Sequence, residues 1–172
     1  FVELLSDHAD EPVMMDRLAT IERRNLRLYG YGVKGFTLSM IETAMELCDG
    51  SAPPHIIREI LAAGRERLNH PVEPLPGVDE VVTELAAKYR LILITKGDLI
   101  DQERKLAASG LGEHFSAVEI VSEKDRSTYA RIFQRHGLRP EQTAMAGNSM
   151  KSDVIPPIEA GAWGIHIPYH IT

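Results

Sequence analysis

Apolar positions in the first seventy-odd residues recur with a helical period. Leu18, Ile21 and Leu28 fall on one face, after an acidic, proline-containing first turn at Asp10-Glu11-Pro12. Ile41, Ala44, Met45 and Cys48 repeat at i, i+3, i+4 and i+7, and Asp49-Gly50 marks the end of that helix. Pro53-Pro54 opens another, with Ile57, Ile60, Leu61 and Leu68 as its expected buried side. Phe1 to Leu5 reads like the middle of one more amphipathic helix. Four helical segments with short connections predict a small bundle, with Met14, Met15, Met40 and Met45 in its core.

The rhythm breaks where Pro71, Pro74 and Pro76-Gly77 form a stiff, extended crossing between domains. Beyond it, Val78, Val81, Val82 and Leu85 mark a helix, and Leu91–Ile94 is a short apolar run expected to be a strand buried on both faces. A helix is predicted over Leu99–Ser109, closed by Gly110, then a strand over Val118–Val121. Tyr129, Ile132 and Phe133 place the next helix, closed by Gly137. Strands at Thr143–Ala146 and Ile165–Ile167 follow, with a helix around Ile155–Ala160 between them. Strands alternating with helices predict βαβ units and a parallel, Rossmann-like α/β sheet. The expected division is a helical domain over residues 1–73 and an α/β core over residues 74–172.

Composition narrows the classes. The chain has 172 residues, 44% hydrophobic and 26% charged, the balance of an ordinary globular domain. Its net charge of -6, without a Lys/Arg-rich run, argues against nucleic acid and against anionic membrane surfaces as partners. A single cysteine, Cys48, cannot close an intramolecular disulfide; on an apolar helix face it is expected to pack as a small hydrophobe. No apolar stretch approaches the roughly 20 residues that span a bilayer, so a cytoplasmic setting is expected. The oligomeric state is not readable from the sequence.

Ligands of open parallel sheets bind beyond the carboxyl ends of the strands. Those ends carry Thr95-Lys96-Gly97-Asp98, Ser122-Glu123-Lys124-Asp125, and Gly147-Asn148-Ser149-Met150-Lys151-Ser152-Asp153. The residue types suit a phosphoryl group and a divalent metal. A hydroxyl and the backbone N–H groups of a glycine-containing turn donate to phosphate oxygens. A lysine opposes the charge of the transferring group. An amide oxygen and a carboxylate can form part of a Mg²⁺ shell. Taken singly, Thr95 is a helix cap, Lys124 a solvated lysine and Asp153 a first-turn acid. Gathered at one sheet edge, they read as a site.

Ile92-Leu93-Ile94-Thr95, Lys124 and Gly147-Asn148-Ser149-(x3)-Asp153 resemble motifs two, three and four of the haloacid dehalogenase-like hydrolases. Pro74-Leu75-Pro76-Gly77-Val78 resembles the segment with which that family re-enters its core, and the helical first part is similar to its C1-type cap. The resemblance implies hydrolysis of a small phosphorylated metabolite through an aspartyl-phosphate, with Mg²⁺ as cofactor. It also implies that Thr95 and Lys124 are catalytic, and that Asn148 and Asp153 serve the metal. Thr95, Lys96, Gly97 and Lys124, with Lys34 from the cap, are the expected substrate contacts.

Two departures accompany it. The family's first motif, Asp-x-Asp at the end of an N-terminal strand, occurs nowhere in the chain. That strand lies mid-sheet, so without it the sheet is expected to split into halves with bare edges, and strand and nucleophile are expected upstream of residue 1. Asn148 stands where the family's phosphatases usually carry aspartate, which lowers the charge offered to a metal and keeps a metal-independent 2-haloacid dehalogenase as an alternative. A non-catalytic domain that binds a ligand or partner is the other.

Other motifs are weaker. Gly30-Tyr31-Gly32-Val33-Lys34-Gly35 matches G-x-G-x-x-G but follows a helical pattern, so it is expected to be a cap loop presenting Tyr31, Lys34 and Phe36 to substrate. Ser149 misses the G-x-S-x-G elbow of serine hydrolases because Lys151 replaces the last glycine. His166 and His170 are four apart, but Pro168 between them precludes one helical face and a zinc pair.

Overall fold

The structure is a computed structural model and describes residues 1–169; His170 lies outside the described residues. The chain divides into two compact units, Phe1–Leu91 with Gly97–Ser116, and Ile92–Lys96 with the chain from Ala117 onward.

The first unit is helical. After a short 3₁₀ turn at Glu3–Leu5 come α1 (Glu11–Tyr29), α2 (Val33–Leu47), α3 (Pro54–Asn69), α4 (Val78–Ala86) and α5 (Leu99–Ser109). Phe1 to Leu5 is therefore a single turn that drives Leu5 into the core, not a helix. Asp10 precedes α1 and a proline sits in its first turn, where the missing N–H costs nothing. The core gathers Leu5, Met14, Leu18, Met40, Ala44, Ile56 and Ile60, with Cys48 packed at its margin.

The faces differ from the expected ones by a rotation. Leu28, Met15, Met45 and Leu61 are exposed, while Asn25, Thr37, Ser39 and Thr43 are buried. The α1–α2 seam is polar: Asn25 Nδ2 donates to Ser39 Oγ at 3.2 Å. Ser39 and Thr43 hydroxyls donate back to the carbonyls of Gly35 (2.9 Å) and Ser39 (2.7 Å) within α2. Hydroxyls that satisfy themselves on their own helix can be buried without a partner across the seam. Counting only apolar letters misses such a face.

The second unit holds β1 (Ile92–Lys96), β2 (Ala117–Val121), α6 (Arg126–Arg135), β3 (Ala144–Gly147), a π-type turn (Met150–Val154), α7 (Ile155–Glu159) and β4 (Trp163–His166). Its strands form two separate parallel pairs. β1 lies on β2 with Thr95 opposite Ile120 and Lys96 opposite Val121. β3 lies on β4 with Gly147 opposite His166. Among the described residues no strand of one pair is paired with a strand of the other, so the sheet is split as expected. β1 is half-buried along its whole length instead of buried on both faces, since only one of its edges is covered by a strand.

What joins the pairs is α6. Tyr129, Phe133 and Ala162 form a small buried cluster, against which Ile94 of β1 and Met145 of β3 both pack. Trp163, the only tryptophan of the chain, lies largely exposed on β4 with its indole N–H on the Glu141 carbonyl at 3.2 Å.

Candidate active site

β1, β2 and β3 each end in a segment that its neighbours fix in place. Asp125 caps α6: its carboxylate accepts the Thr128 N–H at 2.7 Å and the Ser127 hydroxyl at 2.8 Å. The Thr128 bond, followed by that of Ser127, holds the Asp125 carboxyl below its ordinary value. Lys124, the preceding residue, is thereby presented at the carboxyl end of β2. Its ammonium donates to Asp153 Oδ1 at 2.8 Å, with only 11% and 7% of the two side chains exposed.

Asp153 is held from its other side as well. Its Oδ2 accepts the backbone N–H of Ser149 at 3.0 Å. Ser149 Oγ in turn accepts the Ser152 N–H at 3.2 Å, so this hydroxyl caps the turn instead of standing as a serine nucleophile. Gly147 makes the arrangement possible, because a Cβ there would lie 2.5 Å from the Asp153 side chain. A buried ion pair of this kind is stabilising only when its geometry is good and each carboxylate oxygen has a partner, as both have here.

Lys96, at the end of β1, reaches the same turn. Its ammonium donates to Ser152 Oγ at 3.3 Å and lies 3.6 Å from a Glu123 carboxylate oxygen. Tyr129, wholly buried on α6, donates its hydroxyl to the Ser152 carbonyl at 2.9 Å. The carboxyl ends of β1, β2 and β3 thus converge on Met150–Val154.

Of the residues singled out from the sequence, Lys96, Lys124 and Asp153 are brought together. Thr95 precedes Lys96 at the same strand end, its hydroxyl 3.5 Å from the Lys96 carbonyl. Gly97 follows at φ 148°, a conformation that disfavours any side chain, and a Cβ there would meet Gln102 at 2.6 Å. Asn148 is exposed, and its backbone carbonyl accepts from His166 Nε2 at 3.1 Å.

Lys34 has a different place. Lys34 and Phe36 lie in the first turn of α2, not in a loop, and the Lys34 ammonium sits 3.0 Å from Asp98 Oδ1 within the helical unit. That hydrogen bond, followed by one from the Asp101 N–H, holds the Asp98 carboxyl below its usual value. Asp98 also caps α5, so one carboxylate serves both. A small cleft lies beside this turn, lined by Glu22, Asn25, Tyr31, Phe36 and Ser39 among others.

Tyr129 and Ser152 were not legible as site residues. Tyr129 shows only as a buried letter of a helix, and nothing in its spacing reports that its hydroxyl meets a turn 23 residues away.

A family model of haloacid dehalogenase-like hydrolases matches residues 7–161. The chain is similar to a haloacid dehalogenase-like hydrolase of known structure from Xanthomonas campestris: 48% identical, TM-score 0.91, over 98% of this chain and 71% of that one. L-2-haloacid dehalogenase from Xanthobacter autotrophicus shares the fold alone, at 18% identity and TM-score 0.64 over 90% of this chain and 63% of that one. Among curated proteins, it is 29% identical over 107 residues to glyceraldehyde 3-phosphate phosphatase of Methanothermobacter thermautotrophicus, covering 59% of this chain and 47% of that protein. It is also 29% identical over 89 residues to N-acylneuraminate-9-phosphatase of Mus musculus, covering 49% and 36% respectively. The chain spans less than half the length of those curated relatives. With its motif residues at the strand ends and a family match over nearly all its length, the chain belongs to the haloacid dehalogenase-like hydrolases.

Proposed function

We propose that the protein is a phosphoric monoester hydrolase acting on a small phosphorylated metabolite, with residues 1–73 as cap and residues 74–172 as core. The observation that carries this reading is the buried Lys124–Asp153 pair, 2.8 Å apart, beside the Thr95-Lys96-Gly97 strand end. An ammonium fixed in a low-dielectric site opposes the charge of a transferring phosphoryl group without having to reorganise. In this reading Thr95 and the backbone at Gly97 donate to phosphate oxygens, and Lys96 and Lys124 supply positive charge. Lys34, which holds Asp98 within the helical unit, is a proposed substrate contact. Both phosphatase-named relatives favour this substrate class.

The nucleophile in this proposal is an aspartate on a strand upstream of residue 1, inserted between β1 and β3. It takes the phosphoryl group from the ester, the leaving alcohol gains a proton, and water then cleaves the aspartyl-phosphate.

Mg²⁺ fits the residues present as a partial shell. Among the described residues no three His, Cys, Asp or Glu side chains converge as a complete cage. Mg²⁺ keeps several waters and commonly takes one or two protein oxygens plus those of a phosphate. The Asp153 carboxylate has lone pairs left beyond those given to Lys124 and Ser149, and Asn148 offers an amide oxygen without charge. Asn148 and Asp153 are the proposed ligands, and the ion's contribution when bound is to neutralise charge on the phosphoryl oxygens.

The full-length protein is expected to hydrolyse p-nitrophenyl phosphate in Mg²⁺ and to lose that activity with a chelator. Lys124→Met is expected to lower kcat by about 100-fold or more. Turnover that survives both treatments refutes the proposal. The uncharged Asn148 favours one rival, a metal-independent 2-haloacid dehalogenase; chloride release from a 2-haloacid without Mg²⁺ would select it. Among the described residues no helix is long and apolar enough to cross a membrane, and a cytoplasmic location is proposed with the phosphatase reading.

A further inference from the structure

The Met150–Val154 turn is tied at three points by side chains from three different elements. Lys96 at the end of β1 reaches Ser152 Oγ, Lys124 after β2 reaches Asp153 Oδ1, and Tyr129 of α6 reaches the Ser152 carbonyl. The two lysines belong to the proposed phosphoryl site. Tyr129 is wholly buried and far less able to touch a ligand, yet it carries a hydroxyl where its packing partner Phe133 has none. A phenol buried this deeply normally holds a partner. Here the partner is the one carbonyl that lies directly before Asp153.

We infer that Tyr129 is a positioning residue of the active site: its hydroxyl, held on the Ser152 carbonyl, sets the turn so that Asp153 and Lys124 meet. Residues 124 to 129 make this economical. The same short segment supplies Lys124, the Asp125 cap that starts α6, and Tyr129 one turn into the helix, so both halves of the pair are indexed to one helix end. The second tie joins the segment after β2 to the turn after β3, two strands that are not paired with each other, so side chains register that turn against β2. Burial, and behind it the charge of Asp153, push the Tyr129 phenol up, so it stays a protonated donor across the working pH range. Loss of the hydroxyl leaves the fold and the aromatic cluster but frees the turn.

The role rests on the phosphatase reading for its effect on turnover, and on geometry alone for its effect on the turn. Tyr129→Phe in the full-length protein is expected to lower kcat for p-nitrophenyl phosphate about tenfold, with KM within twofold, since small misplacements of reacting groups cost rate more than binding. Amide exchange over Ser149–Val154 is expected to quicken about tenfold while β1 and β2 amides are unchanged. Phe133→Leu, which loosens the same cluster without touching Ser152, is the control, expected to lower Tm and to leave kcat and exchange at Ser149–Val154 in place. Unchanged exchange at the turn in Tyr129→Phe overturns the inference, as does an equal kcat loss in both variants. A wild-type protein inactive on phosphate esters removes the phosphatase reading only; the exchange comparison then decides the positioning role by itself.

Discussion

Glu119 occupies a strand position where a carboxylate is ordinarily solvated, and it is buried instead. Its oxygens are taken by Arg135 Nη1 at 2.8 Å and His136 Nε2 at 2.6 Å, both at the end of α6. Burial alone would raise its pKa; the bonds from His136 and then Arg135 outweigh burial and bring it below the ordinary value of 4.5. A carboxyl lowered in the folded state contributes stability that is complete above its unfolded pKa and is lost as pH falls through the folded one. Glu119→Gln is therefore expected to cost about 2 kcal/mol at neutral pH. In urea titrations, its stability should also fall less steeply than the wild type's below about pH 4.5. An unchanged acid limb in the variant would refute this. The alternation of Val118-Glu119-Ile120-Val121 marks a strand but not this triad, because the partners lie 16 and 17 residues further on, across a helix. The strand ends near Thr95, Lys124 and Asp153 were readable because each lies within a few residues of a short apolar run, and a strand end has a known place in a parallel sheet.

Elements were legible in proportion to how local their signals are. The bounds of α5 match the expectation because Asp98 caps its start and Gly110, at φ 73°, closes it. Strands shifted by one or two residues, since an apolar run does not mark where pairing stops. The buried face of α2 was misjudged because its burial uses Thr37, Ser39 and Thr43. At this scale the junction of β3 with its following turn is the most sensitive point. A methyl at residue 147 would fall 2.5 Å from Asp153 Cβ and Cγ. Gly147→Ala is thus expected to displace that side chain from Lys124, with a loss of about 2 kcal/mol from overpacking. Melting and kcat should fall together in this variant, whereas Gly112→Ala, where a Cβ meets only Leu106 at 3.8 Å, should spare both.

At the scale of the molecule, the parallel pairing followed from the alternation of strand and helix patterns beyond Gly77, whereas the compact units part at Leu91 and take Gly97–Ser116 back into the helical unit, a grouping of segments distant in sequence that the rhythm near Pro71–Gly77 does not mark. Neither the ties across the split nor the α6 cluster beneath it could be read from the chain, since both join residues far apart in sequence. Trp163 has one more consequence. As the sole indole of this chain it makes tryptophan emission, excited where tyrosine hardly absorbs, a reporter of the strand-bearing unit, while far-ultraviolet ellipticity is weighted towards α1 to α5. The helical unit has an apolar core of its own, so the two signals are expected to give different midpoints in a denaturant series. The emission curve then isolates the melting of the half that carries Lys124 and Asp153, with no label added.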